Sequence, residues 1–381
     1  MDFEWADEQR EFFETTVRFA QRELSGDVIE ADASATFPHE AWKRCAAYGI
    51  QALPVPEAYG GSDAGALTLI AAMEALGYGC RDNGLLFALG AHMWACQDPI
   101  LRYGTDAQKE RWLPGMGDGS LIAAHAMSEP ESGSDAFSLR TTARRDGDDF
   151  VLNGSKTFVT NAPVADVFLA FATLDRDRGF FGVTAFLIPS DTLGLTVGPP
   201  LHKMGLKTSL MSEVFFDDCR VPGDWVLGRA GGGMAVFTHG MERERSLILA
   251  NTVGTMQHGL ERAVEHAKSR SQFGSPIGKF QAVSHRIVDM ALRLETARLL
   301  LHRLGWLTEQ GRATAYDAAL VKLHLSEVYV QNSLDGLQVH GGYGYMAEYE
   351  LEREVRDALG SRIYSGTSDI QRNIAAHHLG L

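Results

Sequence analysis

The hydrophobic period changes twice along the 381 residues, and this order constrains the fold more than any other feature of the sequence. Residues 1–120 carry apolar side chains at the three- to four-residue spacing of helices. Residues 121–230 contain short runs rich in β-branched and aromatic residues, and residues 231–381 return to the helical spacing. This order predicts an α+β fold with an N-terminal helical domain, a central β-domain and a C-terminal helical bundle.

The N-terminal region contains helix signals on both sides of one loop. Asp7 is a plausible cap for the first helix, and further helices are expected over residues 40–48 and 67–76. Residues 54–61 are dense in proline and glycine, which interrupt helices.

The central region contains runs with strand composition, and Asn153-Gly154 is a pair typical of hairpin turns. The expected strands cover residues 150–152, 157–160, 167–173, 183–188 and 213–216. Together they predict a small, mainly antiparallel sheet. After Gly231, long helical windows over residues 281–309 and 314–338 predict an antiparallel four-helix bundle.

Charge and cysteine usage exclude several classes of protein. With 49 acidic and 35 basic residues the net charge is −14, which disfavours nucleic acids and anionic membranes as partners. No run of about eighteen uncharged apolar residues occurs, and the acidic N-terminus lacks an apolar segment, so a cytoplasmic location is expected. The four cysteines are widely spaced, which predicts reduced core thiols and no metal site.

The common nucleotide and hydrolase motifs are missing. The glycines of residues 115–120 have the wrong spacing for a Rossmann fingerprint and do not follow a strand, and no phosphate-binding Gly-Lys-Ser/Thr loop occurs. His-Glu-x-x-His and Gly-x-Ser-x-Gly patterns are absent as well.

Two segments of the central region resemble flavin-binding motifs of the acyl-CoA dehydrogenase family. They are residues 126–135, Ala-Met-Ser-Glu-Pro-Glu-Ser-Gly-Ser-Asp, and residues 158–161, Phe-Val-Thr-Asn. The resemblance extends over essentially the whole chain and implies the three-domain fold of that family, with FAD as cofactor. The FAD contacts implied here are Met127, Ser128, Gly133, Ser134, Phe158 and Thr160.

Three C-terminal segments are similar to further motifs of the same family. They are residues 270–274 with Gln281, residues 338–345, and residues 364–371. In the family, the first two reach the FAD of a neighbouring subunit, so a homodimer or homotetramer is implied. The additional FAD contacts are Arg270, Gln272, Phe273, Gln281, Gln338, Gly341, Gly342, Thr367 and Asp369.

Each motif also has a simpler interpretation when it stands alone. Gly341-Gly342 is compatible with an ordinary helix end, Ser134 with a plain turn, and Arg270 with a solvated side chain. The joint order of five motifs favours the family.

The resemblance implies α,β-dehydrogenation of an acyl thioester, in which a carboxylate removes the α-proton while the flavin accepts a hydride. Short- and medium-chain members place that glutamate directly after the tyrosine of the C-terminal motif. Here the position is Ser365, whose hydroxyl is not a useful base. Ser134, Ser365 and Gly366 are the implied substrate contacts, with the backbone N–H of Ser365 at the thioester carbonyl.

Some family members, the isovaleryl type among them, carry the base on the first long helix of the C-terminal bundle. An ungapped count back from Gly254 places that residue at Glu244. Glu242, two residues away, points to roughly the opposite helix face. The alternative is that Glu244 merely pairs with Arg243, Arg245 or a partner helix. With Ser365 at the other position, we favour Glu244 as the base.

Within the family, residues 78–85, 158–167 and 361–366 resemble dehydrogenases of secondary metabolism that oxidise prolyl groups tethered to a carrier protein. A short- or branched-chain acyl-CoA dehydrogenase, a flavin monooxygenase on the same fold, and a catalytically silent binding protein remain alternatives. An electron-transfer flavoprotein and oxygen are both possible electron acceptors.

Overall fold

The computed structural model describes residues 6–24 and 26–381. Its N-terminal part is helical, with the order α1 (Asp7–Glu23), α2 (Val28–Ser34), α3 (His39–Tyr48), α4 (Ala66–Gly79), α5 (Asn83–His92), α6 (Asp98–Tyr103) and α7 (Asp106–Gly117). The expected cap at Asp7 is wrong by one residue. Ala6 is the N-cap, and Asp7 lies in the first turn, where an acidic side chain favours the positive end of the helix dipole.

One π-helical turn joins α5 to α6 without a break in the helix. It spans Met93–Gln97, and all five of its residues are buried. Such turns insert one extra residue into a helix and frequently occur at functional sites.

The central region folds into a mixed, mainly antiparallel sheet. Its strands are β1 (Ala123–Ala126), β2 (Thr142–Asp146), β3 (Asp149–Thr160), β4 (Val167–Thr173), β5 (Val183–Pro189), β6 (Leu195–Val197), β7 (Met211–Val221) and β8 (Val226–Leu227). The hydrogen-bonded order is β6-β7-β3-β2-β4-β5-β8, and β1 runs parallel beside β4. The expected strand over residues 167–173 is confirmed.

The expected turn at Asn153-Gly154 is wrong, because β3 runs straight through both residues. The hairpin turn lies instead between Asp146 and Asp149, at the ends of β2 and β3. Pairing of β3 with β7 shifts register between Leu152 and Gly154. A Cβ on Gly154 would lie 2.7 Å from the Cα of Thr141. Glycine at this bulge therefore allows the two backbone segments to approach closely.

The C-terminal part is helical again. It contains α8 (Gly233–Leu247), α9 (Ala250–Ser269), α10 (Gln281–Glu309), α11 (Ala315–His340), α12 (Leu351–Gly360) and α13 (Ser368–His378). A small hairpin of β9 (Ser271–Gln272) and β10 (Ser275–Pro276) connects α9 to α10. Helix α11 packs against α8, α9, α10, α12 and α13, so the bundle is built around it. The predicted order of helices, sheet and helices is confirmed.

The N-terminal and C-terminal helical parts share one hydrophobic core. Helices α4 and α9 pack closely against each other within it. A Cβ on Gly77 would lie 1.7 Å from the carbonyl oxygen of Asn251, and one on Gly254 would lie 1.9 Å from that of Glu74. Only glycine allows this approach, which positions the start of α9 and the preceding α8 against the N-terminal helices.

The expectation for the cysteines is confirmed, since Cys45, Cys80, Cys96 and Cys219 are free and buried. In the described part of the chain, no helix is both long and apolar enough to cross a membrane.

Candidate active site

Glu244 lies in the last turns of α8, and its side chain is directed into the protein. Only 7% of the residue is exposed. The hydroxyl of Ser365 donates a hydrogen bond to its Oε1 atom. The two positions considered for the base from the sequence are therefore in direct contact, although 121 residues separate them.

The turn that carries Ser365 has a left-handed backbone. Ser365 has φ +56° and Gly366 has φ +86°. Side chains from two helices bind its carbonyl groups: Arg245 Nε lies 3.3 Å from the oxygen of Ser365, and Gln371 Nε2 lies 2.9 Å from that of Gly366. A serine at positive φ is uncommon, and strain of this kind persists where the surroundings hold it.

Lys322 is a third residue at this turn. It is fully buried in α11, and its Nζ atom donates a 2.7 Å hydrogen bond to the carbonyl oxygen of Gly366. Lys322 is absent from the family motifs, but its spacing is a signal of burial, because it lies on one helical stripe with Ala318, Leu325 and Tyr329.

The electrostatic environment of Glu244 combines opposing influences. Burial raises the pKa of Glu244, because the charged carboxylate loses its hydration. The hydrogen bond from Ser365 and the charges of Arg245 and Lys322 lower the pKa and offset part of this rise. A buried carboxylate with a raised pKa is the property that general bases require.

Of the two arginines that the simpler interpretation pairs with Glu244, Arg245 lowers the pKa of the carboxyl group by its charge, whereas Arg243 is engaged elsewhere. Arg243 pairs with Asp98, at 3.4 Å. Glu242 is partly exposed, and its carbonyl oxygen accepts the hydroxyl of Ser246 within the same helix. Glu242 and Glu244 thus occupy different environments, as their spacing predicts.

The flavin-motif residues of the sheet lie next to one another. The N–H of Thr157 donates to the carbonyl oxygen of Ser128 at 2.9 Å, and buried Lys156 donates to that of Met127 at 3.2 Å. Gly133 and Ser134 lie in an exposed turn. In β3, Phe158 and Thr160 flank buried Val159.

Phe158 has an unusual conformation for a strand residue. Its φ is +56°, and the residue is 66% exposed. Asn161 follows with φ +66° and donates from Nδ2 to the carbonyl oxygen of Ala88 in α5, at 3.0 Å. One residue earlier in α5, the ring of Phe87 contacts that of Tyr364 with centroids 4.4 Å apart. Helix α5 therefore links the sheet motifs to the Ser365 turn.

The remaining motif residues form a second group. The guanidinium of Arg270 lies 5.6 Å from the ring centre of Tyr343, and His266 stacks on His340 at 4.3 Å. The hairpin after Arg270 carries Phe273 at its tip, 95% exposed. The other members are exposed as well: Gln272, Gln281, Gln338, Gly341 and Gly342.

Thr367 and Asp369 lie at the start of α13. The hydroxyl of Thr367 caps the helix by accepting the N–H of Ile370 at 3.2 Å. Asp369 is exposed in the first turn. Thr367 thus has a structural role that accounts for its presence without a cofactor.

Models of three protein domains match the chain in sequence. They are the N-terminal domain of acyl-CoA dehydrogenase over residues 6–120, the middle domain over residues 124–219 and the C-terminal domain over residues 231–380. The chain belongs to the acyl-CoA dehydrogenase family. Its helical, sheet and helical parts are those of the acyl-CoA dehydrogenase fold.

Individual relatives within the acyl-CoA dehydrogenase family are similar over their full length. An L-prolyl-(peptidyl-carrier protein) dehydrogenase from Serratia sp. strain ATCC 39006 is 43% identical, with 100% of this chain and 99% of the relative covered. The crystal structure of the prolyl acyl carrier protein oxidase AnaB has a TM-score of 0.98 and 45% identity, covering 99% and 100% of the two chains. The structure of PigA with FAD and proline has a TM-score of 0.97 and 43% identity, covering 100% of both.

Proposed function

We propose that the chain desaturates the α,β bond of an acyl thioester, with FAD as its cofactor and Glu244 as the base that takes the α-proton. The main support is the contact between Glu244 and Ser365, which stands where short- and medium-chain family members place their base. Glu244 on α8 thereby brings a carboxylate to the position where the turn carries Ser365 instead of a glutamate. Its burial and raised pKa suit this role.

The residues of the site fit an FAD group. The exposed ring of Phe158 and the exposed turn at Gly133 and Ser134 offer an apolar surface beside hydroxyl and backbone donors. Arg270 and Gln338 offer the cationic and amide groups that suit a diphosphate. The name of the similar PigA structure includes FAD.

When bound, FAD supplies the acceptor for the hydride that leaves the β-carbon. Glu244 receives the α-proton on a carboxylate oxygen, which requires that it be ionised before the substrate reacts. Ser365 keeps this carboxylate oriented through its hydroxyl, and its backbone N–H is the proposed donor to the thioester carbonyl. Gly366 and Ser134 complete the proposed substrate contacts.

Glu244→Gln tests the assignment of the base. Mixed anaerobically with a cognate thioester, this variant should bind substrate and leave the flavin absorbance unbleached, because an amide cannot accept the proton. Glu242→Gln is the matched control on the same helix and should bleach like the parent. Bleaching by Glu244→Gln and not by Glu242→Gln would contradict the assignment. Undiminished turnover without a base would favour the monooxygenase alternative.

The proposed acyl group is a prolyl group on a carrier protein, because the names of the Serratia relative and of AnaB specify that substrate. A short or branched acyl-CoA is the alternative, since the same catalytic residues would serve either ester. The test offers prolyl-carrier protein beside a panel of acyl-CoAs and follows the loss of hydrogen by mass spectrometry. Activity on CoA esters alone would exclude the carrier-bound substrate.

A homo-oligomer, a dimer or a tetramer, is part of the proposal. The exposed side of α10 carries an apolar stripe at helical spacing, formed by Val288, Leu292, Leu299 and Trp306. A second copy would cover this stripe. It would also bring the Arg270 hairpin to a neighbour's FAD, as the family resemblance implies.

Three sequence-based expectations stay predictions. The electron acceptor is an electron-transfer flavoprotein or oxygen, which reoxidation rates with each would distinguish. The cytoplasmic location is open to cell fractionation. The domain boundaries 1–120, 121–230 and 231–381 are open to limited proteolysis.

A further inference from the structure

Lys322 is a buried cation of the proposed site. The proposed reaction has no step that uses this lysine. It has no exposed surface, and its only described hydrogen bond is the one to the Gly366 carbonyl oxygen, at 2.7 Å. Its ammonium also lies 5.9 Å from the ring centre of Tyr364. Lys322 therefore contacts the two residues that flank Ser365 in the turn, Tyr364 and Gly366.

Burying an ammonium group without a direct ion pair is unfavourable, so a lysine in this place requires a compensating role. One carbonyl hydrogen bond could be supplied by a neutral donor, and Gln371 already binds the same Gly366 oxygen at 2.9 Å. The hydrogen bond alone therefore does not account for a charge. The carboxylate of Glu244, and to a smaller extent that of Glu327, favours the charge on Lys322, whereas burial and the charge of Arg245 act against it.

We propose that Lys322 is a positioning residue for the base. Its charge keeps Glu244 ionised, and its hydrogen bond to Gly366 holds the Ser365 turn so that the Ser365 hydroxyl donates to the carboxylate. The lysine does not itself touch the reacting atoms. This inference rests on the proposed function, because it assigns Lys322 a role through Glu244.

Other charged and titratable groups contribute to the same environment. Arg245 lies beside Glu244 on α8, and Glu242 acts on Arg245. The groups from other elements are Cys96 of the π-helical turn, Glu327 of α11 and Tyr364 of the turn. Arg245 is the second cation near the carboxylate, so removal of Lys322 should weaken the ionisation of Glu244 without abolishing it.

Lys322 carries its positive charge at acidic pH, where Glu244 would otherwise become protonated. Burial, and then the nearby Arg245, lower the pKa of Lys322 to about 7. The ammonium is therefore mainly protonated on the acid side of neutrality, and acidification is also the change that removes the charge of a carboxylate base.

Two substitutions separate charge from hydrogen bonding. Lys322→Gln removes the charge and keeps a donor, whereas Lys322→Met removes both. Lys268→Gln is the control, because it removes one lysine charge from an exposed position on α9. For each purified, FAD-loaded variant, the rate of anaerobic flavin bleaching is measured against pH with saturating substrate, and FAD content and Tm are recorded.

We expect both Lys322 variants to move the acid limb of the profile to higher pH by about one unit, the lower end of what one opposite charge near a carboxyl group contributes. At a fixed pH on that limb, the rate should fall about tenfold. Lys268→Gln should follow the parent. If Lys322→Met does not fold, the result for Lys322→Gln decides.

A folded, FAD-loaded Lys322→Gln variant whose acid limb coincides with that of the parent would overturn the proposal. A uniform loss of rate at every pH would also overturn it, because it would indicate a purely structural role. Failure of the proposed function is a separate outcome, recognised by bleaching in Glu244→Gln irrespective of Lys322.

Discussion

Removing the hydroxyl of Ser365 should raise the pH below which the enzyme loses its activity. In the parent, this hydroxyl donates to the buried carboxylate of Glu244 and stabilises its ionised form. Ser365→Ala deletes the donor and leaves the buried carboxylate with Arg245 and Lys322 as its remaining favourable partners. The pKa of Glu244 should therefore rise, and the acid limb of the rate profile should move to higher pH.

The size of the shift follows from the strength of the lost bond. A hydrogen bond to a charged group contributes about 1.5–3 kcal/mol. One pKa unit corresponds to about 1.4 kcal/mol, so the expected shift is about 1–2 units. At a pH one unit below the parent's midpoint, the ionised fraction of Glu244, and with it the rate, should fall about 10- to 100-fold. On the plateau at higher pH, where Glu244 is ionised in both enzymes, the loss of rate should be smaller, because only the orienting contribution of the hydroxyl is then missing.

The assay is anaerobic stopped-flow bleaching of the flavin across the pH range. Ser365→Gly is the matched variant, because it also lacks the hydroxyl but relieves the positive φ of +56° at this residue. Equal shifts in both variants would assign the effect to the hydroxyl. A Ser365→Ala profile that superimposes on that of the parent would refute the reasoning.

Three further predictions concern packing, pH dependence and assembly. Gly254→Ala should destabilise the fold by about 3 kcal/mol in denaturant titrations, because its Cβ would collide with the backbone of α4, whereas Gly26→Ala, with open space around it, should be neutral. Loss of hydration at the half-buried His125, together with the charge of Lys156, lowers its pKa to about 4, so stability is lost as pH falls from about 6.5 towards 4. His125→Phe should show a smaller drop in Tm over this range. Leu292→Arg, alone or with Val288→Arg, should shift the mass measured by light scattering to smaller species, and an unchanged mass would exclude this stripe from the interface.

Much of the fold could be predicted where burial and periodicity coincide. The strand at residues 167–173 is buried along its whole length, so its continuous apolar run marks both of its ends. Two helices of the C-terminal part, α10 and α11, could be predicted to within two residues, because their buried residues recur at helical spacing. Asn153-Gly154 is misleading, because a bulge in the pairing of β3 with β7 and a hairpin turn both favour glycine at positive φ.

The candidate site was predictable only in part. Glu244 and Ser365 could be paired by position, but their hydrogen bond depends on the way α8 meets the turn before α13, which no local pattern reveals. Lys322 could not be recognised from the sequence, because lysines on helices are mostly solvated. Its role follows from its hydrogen bond to Gly366, which the sequence does not show.

The exposed Phe273 at the tip of its hairpin has a consequence for how the enzyme keeps its cofactor. If this residue and Arg270 complete the FAD site of a neighbour, then assembly and cofactor binding are thermodynamically linked, and each favours the other. Dilution below the dissociation constant of the oligomer should then release FAD, although no residue has changed. Added FAD should in turn hold the subunits together, so that cofactor supply controls the amount of assembled enzyme.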